Sequence, residues 1–206
     1  IQHLTRRKHK ERLKMTEIKK YSALNDLAEK GGTVIFGGKE DKDIPLCELR
    51  QAFELGSNYY NRSFENLSIA NAAELYLSSV APLAPETLLL HIGENDLDLF
   101  ENNPDKFLEL YRELVCKIKS ESRDCYIAIV SLKNYDNDSL IAKLNERLKY
   151  LADSERCEFV DVSQKKVWNP RSTKDAISFI CSLGFVRNLK SHEPVYDLAR
   201  TLFCYA

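Results

Sequence analysis

The sequence is short of several things, and each absence excludes a class of protein. It has no apolar run approaching about 18 residues and no secretory h-region, so a membrane-spanning helix is not expected. It has almost no net charge: 30 Lys and Arg stand against 31 Asp and Glu, a balance of -1. The whole molecule therefore offers no electrostatic case for nucleic acid or an anionic membrane. Its six cysteines, Cys47, Cys116, Cys125, Cys157, Cys181 and Cys204, are scattered, with no CxxC and no metal-ligand spacing. Free thiols of this kind behave as small apolar residues, and the pattern predicts a reducing, cytoplasmic location with no metal and no cofactor. Gly37-Gly38 does not open a phosphate loop, because the Gly-x-x-x-x-Gly-Lys-Ser/Thr spacing is missing. No repeat and no low-complexity linker occurs.

What remains is an ordinary globular composition, 44% hydrophobic and 30% charged in 206 residues, enough for one sizeable core. Short apolar runs predict strands at Thr33-Val34-Ile35-Phe36, Tyr59 to Ser63, Thr87 to Ile92, Tyr126 to Val130 and Glu158 to Val162. Between them lie helical patterns at Leu46 to Leu55, Ala70 to Val80, Pro104 to Ser120 and Ser139 to Ala152, with later ones at Lys174 to Leu183 and Pro194 to Tyr205. Alternating strands and helices predict a three-layer α/β fold, a five-stranded parallel sheet with helices on both faces. Residues 1–30 are polar and basic, with Leu13, Ile18, Leu24 and Leu27 as their apolar members. They read as an amphipathic helical extension ended by Gly31-Gly32, and residues 31–206 as the domain. The basic residues Arg6, Arg7, Lys8, Lys10, Arg12, Lys14, Lys19 and Lys20 form either a solvated face or a surface for an acidic partner or a second copy.

The chemistry gathers at strand ends. His91-Ile92-Gly93-Glu94-Asn95-Asp96 follows the third strand, and Gly37-Gly38-Lys39-Glu40-Asp41 the first. Loops after adjacent parallel strands converge, so Glu40, Asp41, Asp43, Glu94 and Asp96 are either solvated loop charges or a meeting set of carboxylates. Lys39 is either a surface cation, a partner for Glu94, or a lysine whose lowered pKa suits it to act as a base or nucleophile. His91 reads as a partly buried, hydrogen-bonded strand residue.

Gly93-Glu94-Asn95-Asp96, Asn61-Arg62-Ser63, Asn145 within a late helix and Phe159-Val160-Asp161-Val162-Ser163 occur in the order and spacing of the SGNH (GDSL-type) hydrolases, which this chain resembles from about Gly32 to Ser163. The resemblance implies a flavodoxin-like α/β fold and an ester or acetyl substrate. In that family a Ser at the end of the first strand is the nucleophile, and an Asp-x-x-His block near the C-terminus supplies the base. The Ser amide, a Gly amide of the second block and the Asn side chain form the oxyanion hole.

This chain departs from the pattern. No Ser, Thr or Cys lies between Gly38 and Leu46, so Lys39 or Glu40 holds the nucleophile position. Ser63 stands where the family has Gly. The Asp-x-x-His block is missing, with His192 the nearest histidine but off register. The expectation is a degenerate serine esterase acting in binding or regulation, with Asn95 kept. Gly37, Gly38, Lys39, Glu40, Asn61, Gly93 and Glu94 would line a site for a small-molecule ester or acetylated ligand. The alternative is an active ester hydrolase with Ser63, or less well Ser68, as nucleophile and His192 as base. A third possibility is assembly into a homo-oligomer through the basic helix.

Overall fold

A computed structural model describes residues 2–44, 46, 47, 51, 58–134 and 138–163, with side chains from residue 14 onward. It contains α1 (Gln2–Asn25), β1 (Thr33–Gly37), β2 (Tyr59–Asn61), α2 (Ile69–Leu75), β3 (Thr87–His91), α3 (Leu97–Asn102), α4 (Pro104–Glu121), β4 (Tyr126–Val130), α5 (Ser139–Ser154) and β5 (Glu158–Val160). The predicted helices at Lys174 to Leu183 and Pro194 to Tyr205, and most of that at Leu46 to Leu55, lie outside the described residues.

All five strands are parallel, in the order β2-β1-β3-β4-β5. The order reverses between β1 and β3, where the register pairs Gly37 with His91. In open parallel sheets of this order the crevice at the carboxyl ends of the strands, at the reversal, is the usual ligand site. Both predicted loops therefore emerge at one place.

Every residue of β1 is buried, and so are Leu88 to His91 of β3. Strands covered on both faces read as continuous apolar runs, which is why they were visible without alternation. On one face Val34, Phe36, Leu88, Leu90, Ile127 and Ile129 form a single core with Tyr76, Phe107, Tyr111, Leu114, Leu144 and Leu148 from the helices. Fully burying a side chain of this size stabilises by roughly 1.5–3 kcal/mol. The helices begin where their caps dictate. Asn103 accepts from the amide of Lys106 (3.1 Å) ahead of Pro104, and Asp138 accepts from Leu140 (2.7 Å) and Ile141 (3.3 Å).

The N-terminal segment is one helix, and it stops at Asn25 rather than running to Lys30. Its last turns are docked. Tyr21 is 6% exposed and meets Phe64 edge-on at 5.0 Å. Among the described residues no helix is long and apolar enough to cross a membrane.

Candidate functional site

The strand-end site is built on a glycine pair and one carboxylate. Past β1 the chain makes a single tight turn, Glu40–Asp43, which folds Asp41 back under Gly37. Asp41 is 0% exposed. Its Oδ2 accepts from the Gly38 amide at 3.0 Å and lies 2.8 Å from His91 Nδ1. A Cβ on Gly37 would sit 1.8 Å from that oxygen, so only glycine fits there. Burial alone works against a charged imidazole. The Asp41 carboxylate, by charge and hydrogen bond, outweighs it with help from Glu40 and holds the His91 pKa above the ordinary histidine value, despite Lys133 nearby.

Around this buried pair the other charges assemble. Lys133 reaches Glu40 at 3.5 Å. Glu94 lies over Gly38, its Oε2 2.7 Å from where a Cβ would be. Burial, then the neighbouring Glu40 and Asp41 charges, push the Glu94 carboxyl upward, against the pull of His91 and Lys39. Lys39 itself is exposed. Of the five loop carboxylates, Glu40, Asp41 and Glu94 therefore lie within reach of one another's charge, and Asp43 is exposed in the turn. Asp96 goes elsewhere: its Oδ2 accepts from the Ile69 amide at 2.9 Å and starts α2. Among the described residues no group of His, Cys, Asp or Glu is arranged to hold a metal ion.

The Asn61-Arg62-Ser63 segment is tied to the loop after β1. Asn61 Nδ2 donates to the Asp41 carbonyl at 2.6 Å, and its Oδ1 accepts from the Ser63 amide at 3.0 Å. Ser63 is 0% exposed, and its Oγ accepts from the Gly37 amide at 3.1 Å. Its carbonyl accepts from the Tyr21 hydroxyl at 2.5 Å. Ser63 is not among the residues with positive φ, so replacing glycine here carries no backbone strain.

In the loop after β3 Gly93 has a φ of 138° and packs against Phe107, Leu132 and Leu144. Asn95 Nδ2 donates to the Leu67 carbonyl at 2.7 Å. Asn95 is exposed on a cleft of about 420 Å³ shared with Lys14, Glu17, Phe64, Asn66, Ser68, Asn71 and Leu75.

The fold thus brings Gly37, Gly38, Lys39, Glu40, Asn61, Ser63 and Glu94 to one strand-end crevice, with Asn95 beside it on the cleft. His192 lies outside the described residues.

No family model and no curated protein matches this sequence. Solved structures do match in three dimensions. A GDSL-like lipase from Bacteroides thetaiotaomicron aligns at 17% identity over 90% of this chain and 94% of its own, with a TM-score of 0.58. An acetyl xylan esterase aligns at 14% identity over 64% and 77%, with a TM-score of 0.56. An acetylxylan esterase from Geobacillus stearothermophilus aligns at 14% identity over 86% and 93%, with a TM-score of 0.53. The chain has the SGNH hydrolase fold. At these identities the likeness carries the architecture alone.

The sequence left two ties out. It offered Asp41 as a loop charge and His91 as a strand residue, but not as each other's partner. They stand fifty positions apart. Gly37, with no room for a side chain, was the available trace of the carboxylate beneath it. The tie from Tyr21 to Ser63 had no trace, because nothing in a polar helix marks which tyrosine turns inward.

Proposed function

We propose that this SGNH-fold protein does not work as a serine esterase and uses the cleft beside its strand-end site for binding or regulation. The observation that carries the reading is Ser63: a buried hydroxyl occupied by the Gly37 amide. A nucleophile must reach its substrate and hand its proton to a base. The oxyanion donors support the same reading. An active site keeps such donors aimed at the reacting oxygen. Here the Ser63 amide is spent on Asn61, and one N–H of the exposed Asn95 side chain on Leu67.

The ligand we propose is a small ester or acetylated compound in the cleft beside Asn95. Amides, a hydroxyl and the Phe64 and Leu75 side chains line it, a mix suited to a compound with both polar and apolar parts. Esterases of acetylated xylan among the structural neighbours make acetylated sugars the first compounds to try.

Purified protein assayed on short acyl p-nitrophenyl esters should show turnover no higher than an Asn95→Ala control. Turnover well above that control, or covalent labelling of Ser63 by a fluorophosphonate probe, would overturn the proposal.

A further inference from the structure

The cleft that exposes Asn95 is walled on one side by α1, and we infer that α1 is a strap whose release opens this cleft. The inference rests on the reading of the cleft as the binding site, and concerns how that site is regulated.

The attachment of α1 is uneven along its length. At its C-terminal end it is locked. Tyr21 is buried against Phe64 with its hydroxyl on Ser63, and the Arg62 guanidinium lies 5.2 Å over its ring. Asn25 donates to the Ser79 carbonyl and accepts from Arg62 Nε, both at 2.9 Å. Ile18 adds a half-buried apolar contact. Where the helix borders the cleft, the hold is electrostatic. Lys14 pairs with Glu74 of α2 at 2.7 Å, and Glu74 is 67% exposed. Glu17 pairs with Lys42 at 2.5 Å, and Lys42 also lies 3.9 Å from Glu65. These pairs tie α1 to α2 and to the turn after β1, the elements that border the cleft and the crevice.

The Lys14–Glu74 pair, open to solvent at Glu74, is weak and falls with salt, the half-buried Glu17–Lys42 pair is screened less, and the buried Tyr21 anchor does not depend on salt. A helix anchored at one end and held by ion pairs at the other opens from the weaker end. The opening has a route to the strand-end site. Lys42 follows Asp41 in the same turn, and the Asn61 amide bonds the carbonyl of Asp41. Releasing Glu17 from Lys42 loosens the turn that carries the buried carboxylate.

The test reads access to the cleft floor. Leu75 lines the cleft and is 1% exposed. In the full chain carrying L75C, the rate of N-ethylmaleimide labelling at that thiol is followed by peptide-resolved mass spectrometry, with native Cys125 at the far end of the sheet as the internal control. Adding K14A and E17A should speed labelling about fivefold at low salt, at least the loss expected for one exposed and one half-buried pair. Raising salt to about 1 M, where screening is short-ranged, should speed the parent and not the K14A/E17A protein. A swapped pair, E17K with K42E, should return the rate toward the parent value. Equal rates in parent and K14A/E17A, or Cys125 labelling that rises in step, would overturn the strap. Ester turnover is read separately: if it appears, the non-catalytic reading falls and the labelling result stands by itself.

Discussion

The tightest contact in the site gives the sharpest prediction, Gly37→Ala. The backbone at Gly37 is not in the left-handed region, so alanine meets no torsional obstacle. What it meets is Asp41, with Oδ2 at 1.8 Å and Cγ at 2.8 Å from the new Cβ. The carboxylate must leave, giving up the Gly38 amide and the His91 ring and remaining buried or dragging the turn outward. Breaking a buried pair of this kind costs about 3–5 kcal/mol. In a domain of this size that is a fall in Tm of roughly 10 °C. The diagnostic is a double-mutant cycle by urea unfolding. Asp41→Ala alone should destabilise by about 2–3 kcal/mol, because His91 loses its partner but can become neutral. In that background Gly37→Ala should cost under about 1 kcal/mol, leaving the backbone oxygen of His91 at 3.1 Å as the remaining close neighbour. Gly37→Ala costing the same in both backgrounds, within about 0.5 kcal/mol, would refute the claim that Asp41 is what the glycine accommodates.

The next predictions concern His91 itself, Glu94 and Asn145. The folded pKa of His91 lies above the free value of 6.5. Its contribution to stability is therefore fully present below pH 6.5 and fades as pH rises through the folded value. The stability gap between the parent and His91→Gln should accordingly narrow on going from pH 6.5 upward, measured by urea unfolding; a gap that widens would contradict the pairing. Glu94 is also raised, so its ionised form is disfavoured in the fold. Glu94→Gln should be more stable than the parent at pH 7, with the advantage shrinking toward pH 4.5, the free value, in thermal scans across that range. Asn145, which binds both the amide and the carbonyl of Leu132 at 2.8 Å, is a structural clamp. Asn145→Ala should cost about 2–3 kcal/mol in chemical denaturation by stranding two buried backbone groups.

How much of this was legible in the sequence depended on the range of the interaction. The sheet was legible because Val34 to Phe36, Leu88 to Leu90 and Ile127 to Val130 are apolar without alternation, as doubly covered strands must be. The α4 and α5 helices announced themselves by period. The short helix Leu97–Asn102 did not, because six residues are too few to establish one. Tyr59 to Ser63 was read as a longer strand than Tyr59–Asn61. The Arg62 and Phe64 amides do continue bonding to β1, at Ile35 and Gly37, but the chain has already turned at the Asn61 side chain. Gly-x-Asn-Asp was legible as a motif, and the direction of the Asn95 amide was not. Its acceptor, Leu67, lies in a loop whose path no periodicity encodes.

The satisfied donors and the missing nucleophile belong together physically. An oxyanion hole is a set of donors that the protein declines to satisfy, a standing cost justified only by catalysis. On the proposed non-catalytic reading, with Lys39 or Glu40 where the family has its serine, nothing is gained by holding them open. Buried polar groups left idle are expensive, and four donors at this site have been given work inside the fold, while among the described residues Asp41 Oδ1 stays buried with no hydrogen-bond partner. The Gly37 amide has the Ser63 hydroxyl, the Gly38 amide has Asp41, the Ser63 amide has Asn61, and Asn95 holds Leu67. The same bonds also bind β1, β2 and the loop after β3 to one another. Reinstating a serine at Lys39 alone should therefore not restore turnover: the hydroxyl would arrive among donors already committed elsewhere. Lys39→Ser with ester turnover at the level of the parent is the expected result. A large gain from that single change would mean that the donors reopen at little cost, and that the internal bonds described here are too weak to define the site.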